Sequence, residues 1–84
     1  MELKDIDYLI AVAKYGNISK AAESLYISQP ALSKYITGLE KRVNLPLFNR
    51  IGNRFVLTYA GERYLARAKE IATCRDSLER QLQT

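Results

Sequence analysis

Apolar residues in the first part of the chain recur at the spacing of one helix face. Leu3, Ile6 and Ile10 are separated by three and four residues, which is the repeat of an amphipathic α-helix. Gly16 follows, and glycine commonly ends a helix because it adopts the left-handed backbone conformation at little cost. The pattern therefore predicts a first helix over residues 3–15.

Two further helices are predicted on either side of a tight turn. Ser19 is a candidate N-cap for a second helix over roughly residues 20–26, because its hydroxyl oxygen can accept a backbone N–H of the first turn. Ser28 is a candidate cap for a third helix. Pro30 is tolerated two positions later, since first-turn amides have no partner within the helix. This order of elements is typical of a helix-turn-helix.

The third predicted helix divides into an apolar face and a polar face. Its apolar residues repeat at spacings of four, three and four: Leu32, Ile36, Leu39 and Val43. At about 100° per residue, the opposite face carries small, polar or basic side chains: Pro30, Ser33, Lys34, Thr37 and Lys41. A helix of this kind is suited to the major groove of DNA.

Residues 45–57 have the pattern of a β-hairpin. Gly52-Asn53 is a two-residue turn signal between β-prone flanks. Arg50 and Arg54 stand on either side of that turn, so the hairpin would carry two positive charges near its tip. Three apolar side chains are expected to pack under the hairpin rather than to stack on bases: Phe48, Phe55 and Val56.

A long last helix is predicted to begin after Thr58, its candidate cap. Residues in it repeat every seven positions in two offset series, which is the a/d pattern of a coiled-coil seam. The first series is Tyr64, Ile71 and Leu78, and the second is Ala68, Arg75 and Leu82. The arginine interrupts the seam. We expect this helix to pair with a second copy of the chain.

Charge is distributed unevenly along the 84 residues, which carry 13 Lys and Arg against 9 Asp and Glu. Residues 34–54 contain five basic side chains and one acidic one. Such a local excess of positive charge suits a polyanion, although a solvated basic surface would have the same composition.

Other classes of protein are disfavoured by what the composition lacks. With no His and the single Cys74, the usual zinc ligands and nucleophile–base pairs are missing, so we expect no metal, no cofactor and no enzymatic activity. A lone cysteine forms no intrachain disulfide, which fits a reducing cytosol. No apolar run approaches the roughly 18–20 residues of a membrane span. A cytoplasmic protein without a membrane partner is expected.

The order of these motifs resembles the N-terminal DNA-binding domain of LysR-type transcriptional regulators, from Leu3 to about Ala68. The strongest run is Leu25-Tyr26-Ile27-Ser28-Gln29-Pro30-Ala31-Leu32-Ser33-Lys34, continuing to Leu39-Glu40. The other matches are Ala11-Val12-Ala13, Gly16-Asn17-Ile18-Ser19, Ala21-Ala22, Leu47-Phe48-Asn49-Arg50 and Leu57-Thr58-Tyr59-Ala60-Gly61.

The resemblance implies a mainly α fold: a winged helix-turn-helix of three helices and a two-stranded β-hairpin wing over residues 1–58, then a linker helix for dimerisation over 59–84. It implies sequence-specific binding of double-stranded DNA by a homodimer at an inverted repeat, with the third helix in the major groove and the wing at the minor groove. It also implies a C-terminal domain, absent from this chain, that senses a small-molecule effector, and higher oligomers of a full-length parent. Such a regulator is expected in the bacterial cytoplasm, associated with the nucleoid.

Site residues carried over from the resemblance fall into three groups. Base-reading positions are Gln29, Pro30, Ala31, Ser33 and Lys34. Backbone and wing positions are Ser28, Thr37, Arg50, Asn53 and Arg54. Expected dimer positions are Tyr64, Ala68, Ile71, Leu78 and Leu82. Lys34 stands where arginine is frequent, and a lysine lacks the planar fork that reads guanine through two bonds. Tyr35 replaces a common glutamine and is expected to pack.

A function of a different class stays open at this point. The chain could be a protein-interaction module that dimerises through its last helix and uses the basic face for an acidic partner. Strong salt dependence of duplex binding together with sequence preference would favour DNA recognition over that alternative.

Overall fold

The computed structural model describes residues 2–83, which form helices and a single hairpin. The helices are α1 (Leu3–Tyr15), α2 (Ile18–Ser24), α3 (Gln29–Val43) and α4 (Tyr59–Gln83). Strands β1 (Phe48–Ile51) and β2 (Arg54–Leu57) lie between α3 and α4 in the chain and pair antiparallel. This order confirms the predicted winged helix-turn-helix followed by a long helix.

The ends of α1 and α3 follow from the residues that the sequence analysis singled out. Gly16 ends α1 with a φ of 61°, and its N–H donates to the Val12 carbonyl at 2.9 Å. At the start of α3, the Ala31 N–H donates to the Ser28 hydroxyl oxygen at 3.2 Å. Both predicted boundaries are confirmed.

The bounds of α2 differ from the prediction. Its cap is Asn17, whose side-chain oxygen accepts the Lys20 N–H at 3.0 Å, so the helix begins before Ser19. Asparagine and serine are comparable caps, so the sequence offered two starts of similar quality. The helix ends at Ser24 rather than at residue 26, and Tyr26 lies in the turn with a φ of 58°. The serine expected to cap α2 is therefore available for another contact.

The core lies where α1, α2, α3 and the first half of α4 meet. Side chains at most 2% exposed are Ile6 of the predicted α1 stripe, Leu9 and Val12 beside it, and Leu32, Ile36 and Leu39 of α3. The prediction was wrong for Leu3, which is 53% exposed. Ala21 and Ala22 of α2 are also buried, and their small size lets neighbouring helices approach. Burying each large aliphatic side chain stabilises the fold by about 1.5–3 kcal/mol. Packing thus fixes which face of α3 points away from the core.

Aromatic packing holds the hairpin against the helices. The rings of Phe48 and Phe55 are both buried, with centroids 5.8 Å apart, as predicted. The prediction was wrong for Val56, which is exposed because neighbouring residues on a strand point to opposite sides. Gly52 occupies the turn with a φ of 62°, which glycine adopts at little cost.

The turn end of the hairpin is also tied to the connection between α1 and α2. The Phe55 N–H donates to the Gly16 carbonyl, and the Ile18 N–H donates to the Asn53 carbonyl, each at 3.1 Å. These backbone bonds fix the hairpin at the end opposite to its junction with α3. The wing is consequently held at both ends.

The fourth helix starts in close contact with the rest of the fold. The Gly61 N–H donates to the Thr58 hydroxyl oxygen at 3.0 Å, so the predicted cap is confirmed. A side chain at Gly61 would collide with the Leu47 carbonyl. Further along, Ala68 is 1% exposed within the core. The first half of α4 therefore packs with the other helices, and a functional division at residue 58 stays a prediction.

One carboxylate is buried where α1 meets α3. Asp5 accepts hydrogen bonds from the Tyr35 hydroxyl, from the Glu2 N–H at 3.2 Å and from the Arg42 guanidinium at 3.1 Å. Burial alone would raise the pKa of Asp5, but the bonds from Tyr35, the Glu2 N–H and Arg42 outweigh it and lower that pKa. Burial, and then the bond to Asp5, raises the pKa of Tyr35 to about 12. The predicted packing role of Tyr35 is confirmed.

Candidate nucleic-acid interface

The outward face of α3 carries the predicted base-reading residues. Its exposed members are Ser28, Gln29, Pro30, Ala31 and Lys34, and its half-buried members are Ser33 and Thr37. On the other side of the same helix, Leu32, Ile36 and Leu39 are buried and Val43 is half-buried. Small and polar side chains are thus presented together on one rigid element, as base-edge contacts in a groove require.

A hydrogen bond between the two helices of the helix-turn-helix involves one of these residues. The Ser19 hydroxyl donates to the Gln29 side-chain oxygen at 2.9 Å. Ser19 lies inside α2 because Asn17 has taken the capping position. The bond joins the second helix to the first residue of α3.

Arg50 lies across the space between the wing and α3. Its guanidinium donates to the Ser33 hydroxyl at 3.2 Å and to the Thr37 hydroxyl at 2.9 Å. It also donates to Glu40 at 3.2 Å and lies 4.8 Å from the centre of the Phe55 ring. The predicted phosphate contact of Arg50 stays a prediction, and the structure adds a role as the link between hairpin and helix.

The carboxylate of Glu40 completes this link. Its second oxygen accepts the Leu47 N–H at 2.7 Å and the Phe48 N–H at 3.2 Å. These amides begin the hairpin, so one acidic side chain holds both the wing backbone and Arg50. Glu40 therefore has a structural role as the ion-pair partner of Arg50 on the flank of α3.

Arg54, the second arginine of the wing, differs from Arg50 in its contacts. Arg54 begins β2 with an exposed side chain, and among residues 2–83 its guanidinium makes no hydrogen bond or ion pair. Asn53 beside it is also exposed, while its carbonyl is bound to the Ile18 N–H. Of the two arginines that flank the turn, Arg54 has all its N–H donors available to a ligand, whereas three bonds within the protein engage Arg50.

Sequence reasoning missed two residues near this face. Ser19 was assigned to a cap, and its spacing of ten residues from Gln29 carries no recognisable pattern. Tyr26 was placed inside α2, but it lies at the helix-turn-helix turn with 95% of its surface exposed. Neither position could be found from periodicity, because both depend on where α2 starts and ends.

The distal half of α4 presents an apolar stripe to solvent. Ile71, Leu78 and Leu82 are 39%, 56% and 79% exposed. The dimer assignment of Ala68 was wrong, because this residue is buried inside its own chain. Arg75, one heptad later, pairs with Asp7 of α1 at 2.8 Å. The part of this heptad series from Ala68 to Arg75 therefore faces its own chain, towards α1.

Tyr64, the remaining predicted dimer residue, is half-buried and packs against the core. Within the described part of the chain, no three His, Cys, Asp or Glu side chains are grouped as a metal site would need. None of the helices described between residues 2 and 83 has the length and apolar character to cross a membrane.

The protein-family model for the bacterial regulatory helix-turn-helix proteins of the lysR family matches residues 3–62 of the sequence. These residues make up well over half of the chain. The chain belongs to this LysR family. It corresponds to the DNA-binding domain of these regulators, and the matched residues span α1 through the start of α4. The resemblance noted in the sequence is confirmed.

Known LysR-type proteins are similar to almost the whole chain. The HTH-type transcriptional activator CmpR of Synechocystis sp. is 36% identical over 77 residues, which cover 92% of this chain and 25% of CmpR. This chain thus spans about a quarter of that relative. The crystal structure of the CbnR DBD–DNA complex has a TM-score of 0.90 at 31% identity, covering 99% of this chain and 95% of the other. The BenM DBD/benA site 1 DNA complex has a TM-score of 0.91 at 29% identity, covering 99% and 93%.

Proposed function

We propose that this chain binds double-stranded DNA in a sequence-specific way, as the DNA-binding domain of a transcriptional regulator. The observation that carries the proposal is the outward face of α3, on which Gln29, Ser33 and Lys34 are held by a helix whose other side is committed to the core. DNA complexes of CbnR and BenM, similar over 99% of this chain, support it. On this basis α3 lies in the major groove, with its first two turns against base edges.

The wing contributes mainly to phosphate binding at the neighbouring minor groove. The exposed and unpaired Arg54 supplies a positive charge, and Asn53 at the turn supplies a polar tip. Phosphate contacts set position and orientation but carry no sequence information, whereas the α3 side chains test base edges. Ser28 and Thr37 are assigned to the DNA backbone beside α3, and Pro30 and Ala31 to apolar contact with bases.

Dimerisation through α4 is the second part of the proposal. Exposed Ile71, Leu78 and Leu82 form a stripe, and a helix of 25 residues is about 37 Å long, so its distal half extends well beyond the core. A second copy would bury the stripe, at about 1.5–3 kcal/mol for each large side chain fully covered. A two-fold dimer matches an inverted repeat with half-sites about one helical turn apart.

The remaining assignments concern a longer parent protein. Because relatives such as CmpR are about four times longer than the matched region, we infer that a full-length parent carries a domain that binds a small-molecule effector and supports higher oligomers. Such a parent acts on the bacterial chromosome, in the cytoplasm and at the nucleoid. The relatives bear the names of transcriptional regulators, which fits a binding function rather than catalysis.

Selection of bound duplexes from a random pool tests the DNA-binding proposal. We expect an enriched inverted repeat, bound more tightly than a scrambled duplex, with affinity that falls steeply as salt rises. Binding that ignores sequence but follows salt would support the alternative, a basic face that serves an acidic protein partner.

The dimer is tested by changing one residue of the stripe. Leu78→Asp should give monomers in sedimentation equilibrium and lose affinity for a full site far more than for a half-site. Thr73→Asp is the matched control, because it adds the same charge at an exposed position of the same helix outside the stripe. If both variants dimerise like the unmodified chain, the stripe does not form the interface.

A further inference from the structure

Two of the proposed base-reading side chains have their acceptor atoms engaged within the protein. The Gln29 side-chain oxygen accepts the Ser19 hydroxyl at 2.9 Å. The Ser33 hydroxyl oxygen accepts the Arg50 guanidinium at 3.2 Å. Both bonds come from outside α3, one from α2 and one from the wing. Thus α2 holds one base-reading side chain, and the wing holds the other.

The hydrogen-bonding capacity left on this face is richer in donors than in acceptors. A glutamine has two N–H donors and an oxygen with two lone pairs, and a serine hydroxyl has one donor and two lone pairs, so each oxygen keeps one lone pair while it is turned towards its protein partner. Among residues 2–83, the Gln29 amide nitrogen and the Ser33 hydroxyl proton have no partner. Lys34, next on the same face, has donors only. Thr37 differs, because its hydroxyl already donates to the Ser33 carbonyl at 3.0 Å.

Donors and acceptors on the protein select different base edges in the major groove. Guanine presents two acceptors, thymine one acceptor, adenine one acceptor and one donor, and cytosine a donor. A glutamine reads adenine best when its oxygen and its nitrogen both face the base. A glutamine whose oxygen is held elsewhere loses that advantage and is left to favour guanine or thymine.

We propose that Ser19 and Arg50 are positioning residues that make the reading face of α3 a hydrogen-bond donor surface. The base facing Gln29 is then guanine or thymine in preference to adenine, and cytosine is disfavoured opposite both Gln29 and Ser33. The inference rests on the proposed DNA-binding function and specifies which base edges that function selects.

The test for Ser19 uses the full chain and duplexes that carry each of the four bases at one half-site position at a time. Gln29→Ala first identifies its own position as the one where base preference is lost. Ser19→Ala should then raise the affinity for adenine relative to guanine at that position by about fivefold or more, because both amide atoms become available. Preferences at the other positions should not change.

The matched control is Ser24→Ala. Ser24 is also in α2, and its hydroxyl donates only to the Ala21 carbonyl of its own helix at 2.7 Å. We expect this variant to keep the base preferences of the unmodified chain. Circular dichroism melting of both variants ensures that the comparison is made between folded proteins.

Arg50 is tested through the position that Ser33→Ala identifies. Arg50→Lys keeps the charge but removes the fork that reaches two hydroxyls and a carboxylate at once. The discrimination against cytosine should decrease by about fivefold at that position, while Arg63→Lys, a change at an exposed arginine of α4 outside the proposed interface, leaves it unchanged. If Arg50→Lys does not fold, Arg50→Met, which keeps an unbranched stem over the Phe55 ring but removes every N–H donor, takes its place with the same expected direction.

The outcomes that overturn the inference are separate from those that overturn DNA recognition. A uniform loss of affinity for all four duplexes on Ser19→Ala would mean that the bond only stabilises the fold. Preference for adenine by the unmodified chain would mean that the Gln29 oxygen is available. No preference among any duplexes would overturn the proposed function, and this inference with it.

Discussion

Replacing Glu40 by glutamine should loosen the wing and destabilise the fold. The carboxylate accepts two backbone N–H groups, from Leu47 and Phe48, and one bond from Arg50. Glu40→Gln keeps the shape of the side chain, removes its charge and turns one acceptor oxygen into an NH₂ donor. That donor then faces groups that are themselves donors.

The expected cost follows from the burial of the three bonds. The Glu40 and Arg50 side chains are 16% and 32% exposed, so solvent screens their pair and its loss costs about 0.5–1 kcal/mol. A backbone N–H left without a partner in the part-buried junction costs about 1–3 kcal/mol. The sum, about 1.5–4 kcal/mol, is a large share of the roughly 5–15 kcal/mol that holds a typical domain together.

Urea unfolding followed by circular dichroism measures this cost. The midpoint should fall by about 1–3 M while the slope stays the same, because the surface exposed on unfolding does not change. Glu23→Gln is the matched control, since Glu23 is an exposed glutamate of α2, and we expect it within about 0.5 kcal/mol of the unmodified chain. A Glu40→Gln variant as stable as this control would refute the carboxylate as the anchor of the wing.

Two further predictions concern the buried cluster and the start of α4. The pKa of Tyr35 is raised to about 12, so the unfolded chain loses this proton first, near its ordinary value of 10. The stabilisation that Tyr35 provides below pH 10 should be lost between pH 10 and 12. In urea titrations over that range, the free energy of unfolding should therefore fall less for Tyr35→Phe than for the unmodified chain. The pKa of Asp5 is lowered, so its contribution to folding stability is present above about pH 4 and is lost as the pH falls further. Gly61→Ala should lower stability by about 2 kcal/mol or more, measured by thermal melting, because its methyl group meets the Leu47 carbonyl; a melting temperature equal to that of the unmodified chain would contradict this packing.

Local signals were sufficient for most elements of the fold. The spacing of apolar residues in α1 and α3 reflects burial on one face, and Gly52-Asn53 and Ser28 specify turn and cap by their own chemistry. The start of α2 was missed because Asn17 and Ser19 are both adequate caps two residues apart. Only the packing of α2 against its neighbours decides between them.

The site was less accessible to sequence reasoning because its contacts join distant parts of the chain. The links from Arg50 to Ser33 and Thr37 cross 17 and 13 residues, and no periodicity records them. A heptad pattern likewise shows that a helix face is buried but not against what. Ala68 and Arg75 fit the seam, yet both face the same chain.

The central claim is that α3 reads bases while the wing binds phosphate, and one comparison tests it most directly. Gln29→Ala and Arg54→Ala are titrated against the selected duplex and its scrambled form over a series of salt concentrations. Gln29→Ala should cost about 1–3 kcal/mol on the selected duplex alone and leave the salt slope unchanged. Arg54→Ala should weaken both duplexes alike and reduce the slope by about one. Equal weakening of both duplexes by Gln29→Ala, with no change of slope for Arg54→Ala, would contradict the account.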